Sequence, residues 1–167
     1  MKTLYLLRHA HSLPAAPRLM GDYERILSPQ GIEESRLIGR FMQERGICPE
    51  FVLSSSSVRT IQTAQFIFGT LFSKVGLKVS SHFDRHLYQA SAQTLLSEIK
   101  KTDSTINHLL VVAHNPGVAD LAMTLGDVQD YAPATLTIFK AECQNWSEFS
   151  PDDVQLEQVF SPAAGAF

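Results

Sequence analysis

Two arginines and two histidines stand where short apolar runs end. Arg8 and His9 follow Leu4–Leu7, Arg59 lies just beyond Phe51–Leu53, and His114 follows Leu109–Ala113. Each arginine can offer a planar fork of N–H donors that matches the oxygens of a phosphate group. A neutral imidazole is a nucleophile, and histidine is among the side chains that form covalent intermediates. Neighbouring arginines are expected to lower the pKa of His9 and keep it neutral near pH 7. A second imidazole, His114 in protonated form, would stabilise charge on transferring oxygens. Taken singly, each residue has a plainer role. An Arg-His pair at a strand end is ordinary surface or ion-pair material, Arg59 alone is a solvated helix residue, and His114 can bond a backbone group. Their conjunction at three strand ends is what points to phosphoryl chemistry.

That conjunction requires particular elements. Leu4–Leu7 and Leu109–Ala113 are continuous apolar runs, the pattern of strands buried on both faces. Ser28 is a good N-cap and Pro29 suits the first helical position, so a helix is expected from Pro29, with Ile32, Leu37, Ile38, Phe41 and Met42 at helical spacing and Gly46 as its stop. Phe51–Leu53 reads as a strand leading through Ser54–Ser57 into a helix from Val58 to about Leu71. Leu77–Ser81 reads as a short strand and Ser91–Lys101 as a helix. Asn115 is expected to cap a helix that starts at Pro116 and runs through Leu121 to Leu125. Thr135–Lys140 and Val154–Phe160 alternate, as antiparallel or edge strands do. The tail, Pro162 to Phe167, reads as loose. Strands alternating with helices imply an α/β domain with a mostly parallel sheet, a three-layer α/β/α arrangement with antiparallel edge strands. In such sheets ligands bind at the carboxyl ends of the strands, so Arg8, His9, Arg59 and His114 can share one pocket. The helix starting near Ser57 or Val58 would aim free N–H groups and the positive end of its dipole there.

Length and charge set outer bounds. The 167 residues fit one domain, residues 1–167, able to bury a core without metals or disulfides. A net charge of −3 argues against broad binding to nucleic acid or anionic membranes. The two cysteines, Cys48 and Cys143, have no metal-ligand spacing and read as free thiols. A metal site built on His9 and His11 is disfavoured, because no acidic partner is marked nearby. The apolar run at the N-terminus stops at Arg8, too short for a signal peptide, and the expected location is the cytoplasm.

With those residues in view, the chain resembles the histidine phosphatase superfamily, whose fold is called phosphoglycerate mutase-like. The family's Arg-His-Gly signature stands here as Arg8-His9-Ala10. Its Ser-x-x-x-Arg-x-x-x-Thr-Ala pattern is matched by residues 55–64, and its second histidine, which closes an apolar strand, by His114. Leu27-Ser28-Pro29-Gln30-Gly31 looks like the family's first helix start, and the likeness extends from residue 3 to about 126. The resemblance implies that His9 is the phosphorylated nucleophile, with Arg8, Arg59 and His114 completing a phosphate pocket and no cofactor. Ser12 is a further candidate phosphate ligand. The short length and the Leu4–His9 opening are most similar to SixA-type phosphohistidine phosphatases.

Two departures matter. Alanine replaces glycine at position 10, which would be strained if that position needed a positive φ. Many larger relatives also carry a glutamate general acid after the third strand, whereas Asp84–Gln89 contains none. Asp84, Asp22 and Glu24 are the candidate substitutes. A phosphohistidine whose ring is protonated leaves as neutral imidazole and needs less help than an alkoxide. The expected substrate is therefore phosphohistidine in a protein, for example a histidine phosphotransfer domain. The alternatives are a phosphomonoesterase acting on a small phosphorylated metabolite and a non-catalytic phosphoprotein-binding module.

Overall fold

The computed structural model describes all residues except 17, 19, 74–78 and 165–167. Among the described residues one six-stranded sheet is built from β1 (Lys2–Arg8), β2 (Phe51–Ser55), β3 (Ser80–Asp84), β4 (His108–Ala113), β5 (Leu136–Ala141) and β6 (Val154–Phe160), in the order β3-β2-β4-β1-β5-β6. The first four strands are mutually parallel, β5 is antiparallel to β1, and β6 is antiparallel to β5. The antiparallel strand is thus one place in from the edge, and β6 occupies the edge itself.

Side-chain alternation splits the core into two layers. Leu4, Leu6, Leu109 and Val111 face one side, where they pack with Leu95 and Ile99 of α3 (Ala92–Lys100) and Val118 and Leu121 of α4 (Gly117–Gly126). Tyr5, Leu7, Leu110 and Val112 face the other, against Ile38 and Met42 of α1 (Pro29–Glu44) and Ile67 of α2 (Val58–Leu71). Helices therefore cover both faces, in the phosphoglycerate mutase-like α/β arrangement, and β1 and β4 are buried on both, as their unbroken apolar runs require. No helix among the described residues is long and apolar enough to cross a membrane.

The helix signals at α1 act as read: Ser28 Oγ accepts from Gly31 N, and Gly46 follows the helix with φ 65°. Asn115 does not cap α4. Pro116 takes the cap position with helical φ and ψ, while the Asn115 side chain donates to the Tyr131 carbonyl at 3.1 Å. That carbonyl also accepts from Arg8, so Asn115 serves the pocket wall rather than the helix. Strand β3 begins at Ser80; of the strand expected over Leu77–Ser81, residues 77 and 78 lie outside the described residues. Pro162–Ala164 forms a 3-10 turn, and the rest of the tail also lies outside them. Cys48 is exposed and Cys143 buried, both free.

Candidate active site

At the carboxyl ends of β1, β2 and β4 lies a cavity of about 290 Å³ whose walls include Arg8, His9, Ser12, Asp22, Arg59 and His114. Each reaches it for a local reason. The His9 backbone is clamped on both sides, its N–H donating to Ala113 and its carbonyl accepting from Ala134. Ala10 N donates to Thr63 Oγ1 at 3.1 Å, which ties the turn after β1 to α2. Ala10 is fully buried and has no positive φ, so the absent signature glycine leaves no backbone strain. Arg59 sits in the first turn of α2 and is 3% exposed.

His9 is 8% exposed, and its two ring nitrogens have different partners. Nδ1 lies 2.8 Å from the Ala10 carbonyl, and Nε2 faces Nε of Arg59 at 3.2 Å. A carbonyl can only accept and a guanidinium only donate, so the ring carries its proton on Nδ1 and its lone pair on Nε2. Burial is the main cause that lowers its pKa to about 4. Repulsion from Arg59, Arg8 and Arg25 adds to it, and the bond to Ala10 opposes it. The neutrality expected from nearby arginines is present, but desolvation contributes more than they do.

The ring of His114 lies 5.1 Å from that of His9, centroid to centroid, and its Nε2 meets Ser55 Oγ at 2.8 Å and Ser57 Oγ at 3.4 Å. Its Nδ1 is buried without a hydrogen-bond partner among the described residues. Burial, then the neighbouring His9 and Arg59, lower its pKa to about 3. In the ligand-free pocket this shift favours the neutral ring, whereas the sequence suggested a protonated one beside transferring oxygens: burial and the neighbouring arginines disfavour the charged form, and only Asp22 opposes them. Arg8 donates from Nη1 to the Tyr131 carbonyl at 2.9 Å, while its Nε is buried and unpartnered among the described residues. The unpartnered Nε of Arg8, with Arg59 and the His9 ring beside it, makes a cavity wall suited to an oxyanion. The α2 N-terminus contributes less than expected, since Val58 N–H already donates to the Tyr23 carbonyl.

The three candidate acids have different fates. Asp22 lies in the cavity and is bonded by Tyr88, Arg25 and Arg59, which together hold its carboxyl well below the usual range. Asp84 is outside the cavity, accepting from His86 N at the start of a 3-10 turn. Glu24 is exposed and also outside it. Ser12 is buried at the wall and accepts from Arg25 Nη2 at 2.8 Å.

Sequence reasoning missed Arg25, Tyr88 and Gln89. Arg25 and Gln89 line the cavity, and the Tyr88 ring stands edge-on to His114 with centroids 5.4 Å apart. Arg25 carried a usable signal, a third arginine in the loop that already held Asp22. Tyr88 and Gln89 lie in the stretch searched only for an acid. Gln89 has a left-handed backbone, φ 53°, which residue type does not announce.

This fold, with an arginine–histidine cavity at its strand ends, defines an α/β protein of the phosphoglycerate mutase-like class. The family model of the histidine phosphatase superfamily (branch 1) matches residues 4–80. The uncharacterized protein Rv1276c of Mycobacterium tuberculosis is 30% identical over 122 residues, which cover 73% of this chain and 71% of that one. The chain belongs to the histidine phosphatase superfamily. Among solved structures, the SixA protein of Agrobacterium tumefaciens superposes with a TM-score of 0.80 at 24% identity, covering 96% of this chain and 98% of that one. The protein histidine phosphatase SixA complexed with tungstate gives 0.79 at 20% identity, covering 98% and 99%. These two likenesses are of fold.

Proposed function

We propose that this protein is a phosphatase that carries the phosphoryl group on His9, and that its substrate is phosphohistidine in a protein. The observation that carries the reading is the pairing of the His9 ring: Nδ1 lies against the Ala10 carbonyl, and Nε2, which accepts from Arg59 in the resting protein, sits in a cavity lined by Arg8, Arg59 and His114. Nε2 attacks phosphorus as the bond to the leaving nitrogen breaks. The leaving ring, already protonated on its other nitrogen, keeps the bonding electron pair and departs as neutral imidazole. His9 becomes a phosphoimidazolium whose Nδ1–H stays on the Ala10 carbonyl. Water then attacks phosphorus, the N–P pair returns to Nε2, and both water protons leave with inorganic phosphate. Arg8, Arg59 and the buried His114 stabilise charge on the equatorial oxygens.

Nitrogen-to-nitrogen transfer of this kind needs no proton from the enzyme. The pocket agrees with that, because its carboxylate, Asp22, is held ionised, and Asp84 and Glu24 lie outside. The likeness to SixA structures, named for protein phosphohistidine, supports the same substrate class. The test is phosphate release from a phosphohistidine peptide and from a panel of phosphomonoesters, with His9→Ala as the blank. His9-dependent release confined to phosphohistidine is expected. Faster release from monoesters would move the substrate to a small metabolite, and phosphate binding without release would leave a phosphoprotein-binding module.

A further inference from the structure

In the ligand-free pocket each of the three guanidinium nitrogens of Arg59 is already engaged. Nε donates to His9, Nη1 to the backbone carbonyl of Asp22, and Nη2 to Asp22 Oδ2 at 3.0 Å. The same carboxylate collects Arg25 Nη1 at 2.9 Å, the Tyr88 hydroxyl, and Gln89 Nε2 at 3.4 Å. These four donors come from α2, from the loop between β1 and α1, and from the turn after β3. A set of donors converging from separate segments on one anion is the coordination a phosphoryl group calls for. The Asp22 side chain keeps 38% of its surface exposed, so it has solvent to swing into. Gln89 is held in its left-handed backbone at the same spot, and such strained positions cluster at ligand clamps.

We propose that Asp22 is a resident stand-in for the phosphoryl group, and that Tyr88 and Gln89 become ligands of the phosphoryl oxygens once it swings out. The inference rests on the reading of this cavity as a phosphoryl site. A phosphoryl dianion and the Asp22 carboxylate cannot share the Arg59 fork without strong like-charge repulsion, so entry of one requires departure of the other. The apparent affinity for phosphate is then the intrinsic affinity multiplied by the fraction of molecules with Asp22 displaced. Asp22 is in this sense a specificity-determining residue, admitting anions that outbid a carboxylate for two arginines.

The test is calorimetric titration of the full chain with inorganic phosphate, using wild type, Asp22→Asn, and Asp22→Asn combined with Tyr88→Phe, each checked for a cooperative melt. Asp22→Asn is expected to bind phosphate roughly tenfold tighter, the scale of removing one partly solvated competing charge. Adding Tyr88→Phe is expected to weaken that binding again by about fivefold, the loss of one hydrogen bond to a charged group. Unchanged or weaker binding by Asp22→Asn would overturn the proposal, because that is the behaviour of a carboxylate that merely aligns Arg59. Should Asp22→Asn fail to fold, a crystal structure of the wild type with phosphate decides. The Asp22 carboxylate out of reach of Arg59 is expected, and phosphate bound with that contact intact would overturn it. Wild type that binds no phosphate would overturn the phosphoryl reading of the cavity itself.

Discussion

Nε of Arg59 stands 3.2 Å from Nε2 of His9, and it makes that contact as the donor. The guanidinium therefore favours the His9 tautomer that carries its proton on Nδ1, and under the proposed mechanism it would also meet an oxygen of the incoming group. Lysine has one point charge and cannot do both. Arg59→Lys is expected to lower turnover of a phosphohistidine peptide by about 10²-fold, the scale of losing one oriented donor at a developing anion. Steady-state kinetics on the purified variant check this, and turnover within a factor of about three of wild type would contradict it.

Acidification should destabilise the fold through the two site histidines. In the unfolded chain each takes up a proton near about 6.5. In the folded chain His9 does so only near about 4 and His114 near about 3. Between those limits the unfolded state binds more protons, so this stability is fully present above about pH 6.5 and is lost as the pH falls toward 4 and 3. The melting temperature is expected to fall from pH 7 to pH 4, and His114→Gln to flatten that decline. An equal slope in both proteins would count against the assignment.

Gly31 packs without a side chain against the backbone two residues after His9. A Cβ there would lie 1.9 Å from the His11 carbonyl oxygen, a clash with backbone that cannot rotate away. Gly31→Ala is expected to cost about 2 kcal/mol or more in a urea titration and to lower activity, because α1 would push the His9–Ser12 turn out of place. Gly39→Ala, which meets the Ile67 carbonyl at 2.7 Å, is expected to lower stability with less effect on activity, since it presses α1 against α2 away from that turn.

Thr63 supports the same turn from α2. Its hydroxyl accepts from Ala10 N and donates to the Arg59 carbonyl at 2.7 Å. Thr63→Val keeps the shape, removes the acceptor and leaves the buried Ala10 N–H unpaired. A loss of about 1–3 kcal/mol is expected by chemical denaturation, with Thr63→Ser restoring most of it.

Much of this arrangement was readable from the chain because it follows from burial and capping. The unbroken runs at Leu4–Leu7 and Leu109–Ala113 mark central strands, and Ser28–Pro29 marks the start of α1. Arg8, His9, Arg59 and His114 were legible as a group because parallel strands deliver their carboxyl ends to one edge. The chemistry of their surroundings was not legible. Whether a carboxylate near the site is a proton donor or an ion pair depends on what points at it. Asp22 became the latter through Tyr88, Arg25 and Arg59, two of them far from it in sequence. The lowered pKa of His114 likewise depends on burial beside His9 and Arg59, a tertiary fact. Asn115 misled because an Asn-Pro-Gly sequence satisfies the capping rules while the Tyr131 carbonyl claims its side chain.

In the proposed mechanism phosphorus passes through Nε2 of His9. The most direct measurement is rapid quenching of the protein with a phosphohistidine peptide at alkaline pH, followed by peptide mapping by mass spectrometry. An acid-labile phosphoryl group on His9 is expected, formed and consumed at the rate of turnover and absent from His9→Ala. A label on another residue, or undiminished phosphate release by His9→Ala, would contradict it.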